Sequence, residues 1–91
     1  MYELIYLASP YSHDDPAVRQ ARYEAACEVT AKLIRQGRNV YSPIVYSHPL
    51  TKYGLGTDWE TWRNLDQAIL RNATQLMVLQ IDGTETSRGI K

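Results

Sequence analysis

The sequence predicts an α/β domain in which a short parallel sheet, with strand order 2-1-3, is covered by helices. The first observation is an apolar run at residues 4–8 that ends in small polar residues and a proline, as in a strand buried on both faces. The second is the alternation of strand and helix patterns, which favours right-handed parallel crossovers. With 91 residues, we expect one domain spanning residues 1–91.

The first helix is predicted from Pro16 to about Gln36. Asp15 precedes it as a helix cap, and Gly37 follows where helices often end in the left-handed conformation. The apolar residues at helical spacing that should form its buried stripe are Val18, Ala21 or Arg22, Ala25, Val29 and Leu33. A short second strand, residues 39–42, completes the first strand–helix–strand unit.

The second half of the chain begins with an irregular stretch at residues 42–56, which we expect to be a lid or a binding loop. Residues 57–60 form a capping box that opens a second helix ending near Asn72. The third strand is predicted at residues 76–81. The sequence then reaches only the first turn of another helix, so we expect the domain to lack its C-terminal part.

Composition argues against several functional classes. Ten basic and ten acidic residues give zero net charge, whereas proteins that bind a nucleic acid backbone normally carry a basic excess. No window has the length of a membrane span, and no basic leader precedes the first strand. Cys27 is the only cysteine, and His13 and His48 lack metal-ligand spacing. We therefore expect a cytoplasmic protein that uses no metal or cofactor and binds neither nucleic acid nor membrane.

The predicted binding site is the crevice where the strand order reverses, at the carboxyl ends of the strands. Four residues of the loop after the first strand should line it: Ser9, Pro10, Tyr11 and Ser12. The serines can bind a hydroxyl or phosphate, or can simply turn the chain. Asp82 ends the third strand, and Ser87 and Gly89 open the following helix, where free amides attract anions.

Asp66 is the clearest single candidate, because it falls on the apolar face of the second helix. The residues that mark this face are Trp59, Trp62, Ile69, Leu70 and Ala73. A carboxylate among apolar groups needs a partner or a function. The sequence leaves two interpretations open, a structural carboxylate bonded to an arginine, a tyrosine or an amide, and a group that faces a ligand. His13 and His48 are acid–base candidates, although loop histidines are more often simply solvated, and His48 is also predicted to contact the substrate.

Five segments, in this order, resemble the nucleoside 2-deoxyribosyltransferase-like superfamily, especially its small bacterial and phage members: IYLASPYS, SPIVYSHP, WETWRNLD, LMVLQIDG and SRGI. The resemblance covers nearly the whole chain. It implies a flavodoxin-like three-layer sandwich with a pocket for a nucleoside or nucleotide. It also implies cleavage or transfer at an N-glycosidic bond through a deoxyribosyl-enzyme intermediate.

The resemblance also implies roles for individual residues. Tyr6 matches the tyrosine near the catalytic carboxylate, Asp66 the acid that faces the base, and Asp82 the acid that contacts the sugar. The superfamily nucleophile is a glutamate shortly after the SRGI-like segment, beyond Lys91 of this sequence. The alternative expectation is therefore a non-catalytic binder of a nucleotide-like small molecule, or a scaffold without a ligand.

We also expect a homo-oligomer, most simply a dimer. The third strand lacks its covering helix, and Trp59 and Trp62 are large for so short a core. Apolar area left open on a small domain tends to mark an interface.

Overall fold

The computed structural model of the protein describes residues 2–80. These residues contain a three-stranded, all-parallel sheet with the order β2-β1-β3. The strands are β1 (Ile5–Ala8), β2 (Val40–Tyr41) and β3 (Gln75–Val78). The predicted α/β fold and its 2-1-3 strand order are therefore confirmed, and flavodoxin-like sheets begin with this order.

Four helical segments connect the strands: α1 (Pro16–Arg35), α2 (Pro43–Ser47), a 3-10 helix (His48–Tyr53) and α3 (Trp59–Asn72). Helix α1 links β1 to β2, and α3 precedes β3. Right-handed crossovers in this order place α1 and α3 on opposite faces of the sheet. Within residues 2–80, no helix has both the length and the apolar character needed to cross a membrane.

Strand β1 forms the centre of the core, as its apolar sequence predicts. Ile5 and Leu7 are fully buried, and Ala8 is nearly so. Because side chains alternate along a strand, Tyr6 points to the opposite face from its two neighbours. Tyr6 is half-buried there, on the face covered by α3.

Helix α1 begins and ends as predicted. The Asp15 carboxylate accepts a hydrogen bond of 2.9 Å from the Ala17 amide, and Gly37 has a left-handed φ of 83°. Its most buried residues are Arg22, Ala26, Thr30 and Leu33. Of the two predicted alternatives, Ala21 and Arg22, the buried stripe therefore passes through Arg22, and Ala21 is exposed. Arg22 can be buried because its guanidinium donates to the Ser12 carbonyl at 2.8 Å.

Residues 42–56 were expected to be irregular, and that prediction is wrong. Ser42 caps α2 by accepting a bond of 3.3 Å from the Val45 amide, and Pro43 occupies the first helical position. A serine followed by proline is a helix-start signal, which explains the helix at this point. The 3-10 helix follows directly and ends at Gly54, whose φ is 90°.

The start of α3 also differs by one residue from the predicted capping box. The cap is Asp58 and not Thr57. The Asp58 carboxylate accepts from the Thr61 amide at 3.0 Å and from the Thr61 hydroxyl at 2.9 Å. Asp and Thr are both good caps, so the local sequence allowed either register.

Candidate functional site

Two cavities lie on either side of the loop that follows β1, and Tyr11, Ser12 and Thr57 line both. The first, of about 770 Å³, is here called the aromatic cavity. Its lining includes Tyr6, Ser9, Tyr11, Asp58, Trp59, Trp62 and Asp66. The second, of about 920 Å³, is called the cationic cavity. Its lining includes Tyr11, Asp14, Arg19, Gln20, Tyr23, His48 and Lys52.

Asp66 reaches the aromatic cavity from the middle of α3. Burial raises the pKa of its carboxyl group above the ordinary value. Within residues 2–80, Asp66 forms neither a salt bridge nor a hydrogen bond through its side chain. Such surroundings stabilise the protonated form relative to that of an exposed carboxyl group, and the protonated form can donate a proton. The part of the chain that the structure describes thus contains no structural partner for Asp66.

Tyr6 and Tyr41, on neighbouring strands, both feel the charge of Asp66, and Tyr6 also lines the aromatic cavity. Their ring centroids are 6.1 Å apart. Burial, with the Asp66 charge as the next cause, raises the pKa of Tyr6 to about 12. The same two causes, in the same order, raise the pKa of Tyr41 to about 12. Both phenols therefore stay protonated across the physiological range and can act only as neutral hydrogen-bonding groups.

Trp62 supplies the aromatic wall of the cavity. Its Nε1 donates a hydrogen bond of 2.6 Å to the Gly56 carbonyl, which ties the segment before α3 to the helix. The Tyr46 ring meets it edge-on, with centroids 5.9 Å apart. Trp59 lines the same cavity but is 57% exposed. Flat, half-exposed aromatic rings of this kind can stack on a planar ligand.

Ser9 lies at the carboxyl end of β1 and is almost completely buried. Its hydroxyl oxygen has no hydrogen-bond partner among the described residues. Buried polar groups in native proteins are nearly always bonded, so such an atom in a cavity wall indicates a position for a ligand atom or a water. Pro10, predicted beside it as a binding residue, is fully buried and lines neither cavity. Its role in binding stays a prediction.

A directional chain of hydrogen bonds fixes Tyr11 between the two cavities. Gln20 donates from Nε2 to the Glu24 carboxylate at 2.9 Å, so its Oε1 must face His48. His48 Nε2 then donates to that oxygen at 2.9 Å, which leaves Nδ1 of the neutral ring as an acceptor. The Tyr11 hydroxyl donates to Nδ1 at 2.7 Å. The guanidinium of Arg19 also approaches the phenolic oxygen of Tyr11.

His48 is more enclosed than a solvated loop histidine. Its ring stacks on Tyr23, with centroids 4.2 Å apart and planes 23° from parallel. Burial lowers the pKa of His48, and the positive charges of Arg19 and Lys52 lower it further. His48 lines the cationic cavity and not the aromatic cavity, which contains Asp66. Its predicted contact with a substrate stays a prediction. His13 is exposed, and its Nδ1 accepts a bond of 3.0 Å from the Asp15 amide.

The structure brings six of the ten predicted site residues to the two cavities: Tyr6, Ser9, Tyr11, Ser12, His48 and Asp66. Asp82, Ser87 and Gly89 lie outside the described residues, and their roles stay predictions. Sequence reasoning missed the two cations of the second cavity. The available signal was that the first two turns of α1, next to the predicted crevice, carry the polar residues Arg19 and Gln20. Within residues 2–80, no group of three or more His, Cys, Asp or Glu side chains could hold a metal ion.

A comparison with protein families identifies a family for this chain. No curated protein matches the sequence at a significant level. A family model, in contrast, matches residues 3–91, which is nearly the whole chain. The chain therefore belongs to the family described as a domain of unknown function, DUF1937.

Proposed function

We propose that the protein binds a nucleoside or nucleotide in the aromatic cavity and cleaves its N-glycosidic bond or transfers its deoxyribosyl group. One observation carries this proposal: the half-buried Asp66, with a raised pKa and no partner in residues 2–80, beside the ring of Trp62. An acid in that position suits protonation of a departing base stacked on an aromatic wall. The likeness of the five sequence segments to the nucleoside 2-deoxyribosyltransferase-like superfamily supports the same chemistry.

The chemistry needs a proton donor at the base and negative charge near the sugar. Cleavage of the glycosidic bond leaves oxocarbenium character on the sugar and an electron pair on the base nitrogen. Asp66 would deliver a proton to the base, and its conjugate carboxylate would then face the cavity. The Tyr6 phenol, held neutral, would orient that carboxylate or the base by a hydrogen bond. The unpaired Ser9 hydroxyl would bind a polar atom of the ligand.

A second candidate, a non-catalytic binder of a nucleotide-like molecule, is favoured by the count of carboxylates in this cavity. Among the described residues that line it, the carboxylates are Asp58 and Asp66. Asp58 is engaged by the first turn of α3, and those bonds lower its pKa. A covalent mechanism needs a nucleophile in addition to the acid. The resemblance assigns the role of nucleophile to a glutamate that follows the SRGI segment. It assigns contact with the sugar to Asp82.

The test is incubation of the protein with the common deoxynucleosides and their 5′-monophosphates, followed by chromatography for released base. Addition of a second free base to parallel samples detects exchange. Release or exchange that disappears in Asp66→Asn supports the enzyme. A ligand-induced rise in melting temperature without any released base supports the binder. No melting shift and no product with any compound would contradict both candidates.

We also propose that the protein is a homo-oligomer in the cytoplasm. Large apolar side chains are exposed on α3 and β3, namely Trp59, Leu76 and Val78. Contact between copies would cover such area. Sedimentation equilibrium tests the first part, and a monomer at high micromolar concentration would contradict it. Fractionation of cells that express the tagged protein tests the second part.

A further inference from the structure

The cationic cavity contains two basic side chains that approach one histidine from different elements. Arg19 comes from α1 and Lys52 from the 3-10 helix, and both raise the positive potential at His48. Within residues 2–80 neither cation forms an ion pair, because the one salt bridge of this region joins Arg38 to Glu3. Among the described residues, neither positive charge is therefore neutralised by a direct ion pair.

Arg19 is held in place by the loop after β1. Its Nη1 donates to the His13 carbonyl, and the guanidinium also approaches the hydroxyl of Tyr11. These two contacts use a minority of the five N–H donors of an arginine. A guanidinium fixed on one side presents its remaining donors as a rigid fork, which matches the oxygens of a phosphate or carboxylate.

The other lining groups of the cavity are mostly neutral hydrogen-bonding side chains. Tyr11, Tyr23 and Gln20 surround the His48 ring through the stacking and hydrogen bonds described above. Asp14 is the one carboxylate among the lining residues described, and it is exposed to solvent. The charge balance of the cavity is positive, since two cations face one solvated acid.

We infer that the cationic cavity is an anion-binding site, built by the side chains of Arg19 and Lys52 beside the His48 ring, that takes a phosphate monoester or the free phosphate ion. Tyr11, Ser12 and Thr57 line both cavities, which makes the two sites adjacent, and one form of the proposal is that a ligand in the aromatic cavity places its phosphate in this one. If the phosphate belongs to a ligand of the aromatic cavity, the inference rests on the proposed function, and the protein would then act on nucleotides in preference to nucleosides. If the site binds the free phosphate ion, the inference is independent of the proposed function.

The first experiment uses sodium sulfate as the probe, because sulfate keeps its charge throughout the titration range of histidine. NMR follows the pKa of His48 in the full chain, with sodium chloride at equal ionic strength as the reference. Sulfate in the cavity should raise the pKa of His48, and chloride should not. The same titration is made on a double variant, Arg19→Gln with Lys52→Gln. The matched control is Arg35→Gln, at the exposed end of α1.

The double variant should bind sulfate roughly tenfold more weakly, because charged hydrogen bonds are lost, while Arg35→Gln keeps wild-type affinity. Lys52→Gln alone, on an exposed residue, gives an intermediate affinity and guards against loss of folding in the double variant. Equal effects of sulfate and chloride would overturn the inference. Equal sulfate affinity in wild type and Lys52→Gln, with the double variant folded and unchanged, would also overturn it.

The second experiment separates the two sources of the anion and the two proposals. Binding of inorganic phosphate, deoxynucleosides and deoxynucleoside 5′-monophosphates is compared in wild type and the double variant. Tighter binding of monophosphates than of nucleosides, abolished in the double variant, supports a phosphate carried by the ligand. Phosphate binding without any nucleoside binding supports a free anion and contradicts the proposed function. Nucleoside binding with no phosphate advantage and no response to inorganic phosphate overturns the anion site and leaves the proposed function standing.

Discussion

The two cavities beside Tyr11 enclose titratable groups of opposite kinds, and burial shifts both groups toward their neutral forms. In the aromatic cavity, burial raises the pKa of Asp66, whose neighbours are aromatic rings. In the cationic cavity, burial lowers the pKa of His48, and the charges of Arg19 and Lys52 act in the same direction. Burial therefore stabilises a neutral, protonated carboxyl group on one side of the loop and a neutral, deprotonated imidazole on the other, each relative to the same group exposed to water.

This contrast shows what each cavity can accept. An anion placed near Asp66 would raise its pKa further, so the aromatic cavity suits a neutral, planar group that takes up a proton. An anion placed near His48 would offset two uncompensated cations, so the cationic cavity suits negative charge. The loop after β1 contributes to the walls of both cavities, and its Tyr11 lines the aromatic cavity as well as the cationic cavity.

The largest expected effect comes from Asp66, one of the two described carboxylates that line the aromatic cavity. Asp66→Asn should reduce base release by about 10²–10⁴-fold, because an amide cannot donate a proton to the leaving base. Asp58→Asn is the control, since asparagine caps a helix as well as aspartate does and Asp58 is already engaged by Thr61. Chromatography of both variants measures the rates. Equal losses in the two variants would contradict a specific role for Asp66.

The same substitution should have little effect on stability. The raised pKa means that ionised Asp66 disfavours the folded state, so asparagine should increase the free energy of unfolding at pH 7 or leave it unchanged. The gain should be below about 1 kcal/mol, because the carboxyl group is only half-buried and partly solvated. A loss on the order of 3–5 kcal/mol by thermal or urea unfolding would indicate a buried ion pair instead.

The next effect concerns the two tryptophans. Trp62→Ala should lower the free energy of unfolding by about 2 kcal/mol, since it removes a half-buried ring and its hydrogen bond to Gly56. Trp59→Ala should cost less than about 1 kcal/mol, because most of that ring is already exposed. Urea unfolding compares them. If both tryptophans stack on a ligand, both variants should bind deoxynucleosides more weakly, and unaltered binding would exclude that role.

A smaller effect on ligand binding is expected to distinguish the buried hydroxyls of Ser9 and Thr30. Ser9 and Thr30 both have side-chain oxygens without a partner in residues 2–80, but only Ser9 lines the aromatic cavity. Ser9→Ala and Thr30→Val should each stabilise the free protein by about 1 kcal/mol, because an unsatisfied buried group is removed. Only Ser9→Ala should weaken ligand binding. A loss of binding in Thr30→Val would show that the two effects are not local.

Sequence patterns predicted the elements whose signals are local and missed features that depend on packing. The apolar run of β1, the Asp15 cap and the glycine after α1 were each specified by neighbouring residues, and all were confirmed. The helix at Pro43 was missed because length and glycine content suggested a loop, while the Ser-Pro start signal was overlooked. The rotation of the α1 stripe depended on the Ser12 carbonyl, a contact that periodicity cannot show.

The candidate site was only partly predictable for the same reason. A single polar residue on an apolar helix face pointed to Asp66, and strand topology placed Ser9 and Tyr11 near it. Lys52 lies four residues after His48 in the same 3-10 helix, whereas Arg19 lies on α1 and becomes a neighbour of His48 only through the packing of the two elements. The bonding direction of Tyr11 depends on Gln20 and Glu24, which no spacing rule connects to it.

The smallest expected effect is the pH dependence of stability, where Asp66 and His48 should act with opposite signs. His48 has a folded pKa below its ordinary value of 6.5, so the unfolded chain binds more protons between the two values. Its contribution to stability is complete above pH 6.5 and is lost as the pH falls toward the folded pKa. Asp66 has a folded pKa above its ordinary value of 3.8, so its contribution is complete below pH 3.8 and is lost as the pH rises through the folded pKa.

Melting temperatures from pH 4 to 8 for wild type, His48→Gln, Tyr11→Phe and Asp66→Asn resolve these opposing slopes. His48→Gln should remove the fall in stability that acid causes below pH 6.5, because glutamine does not titrate. Tyr11→Phe should make that fall shallower and cost about 1 kcal/mol at pH 8, since the phenol donates to the neutral ring and favours it. Asp66→Asn should leave that fall intact and remove the opposite slope just above pH 3.8. If His48→Gln keeps the wild-type slope while Asp66→Asn changes it, the two cavities are not electrostatically distinct and the contrast between them fails.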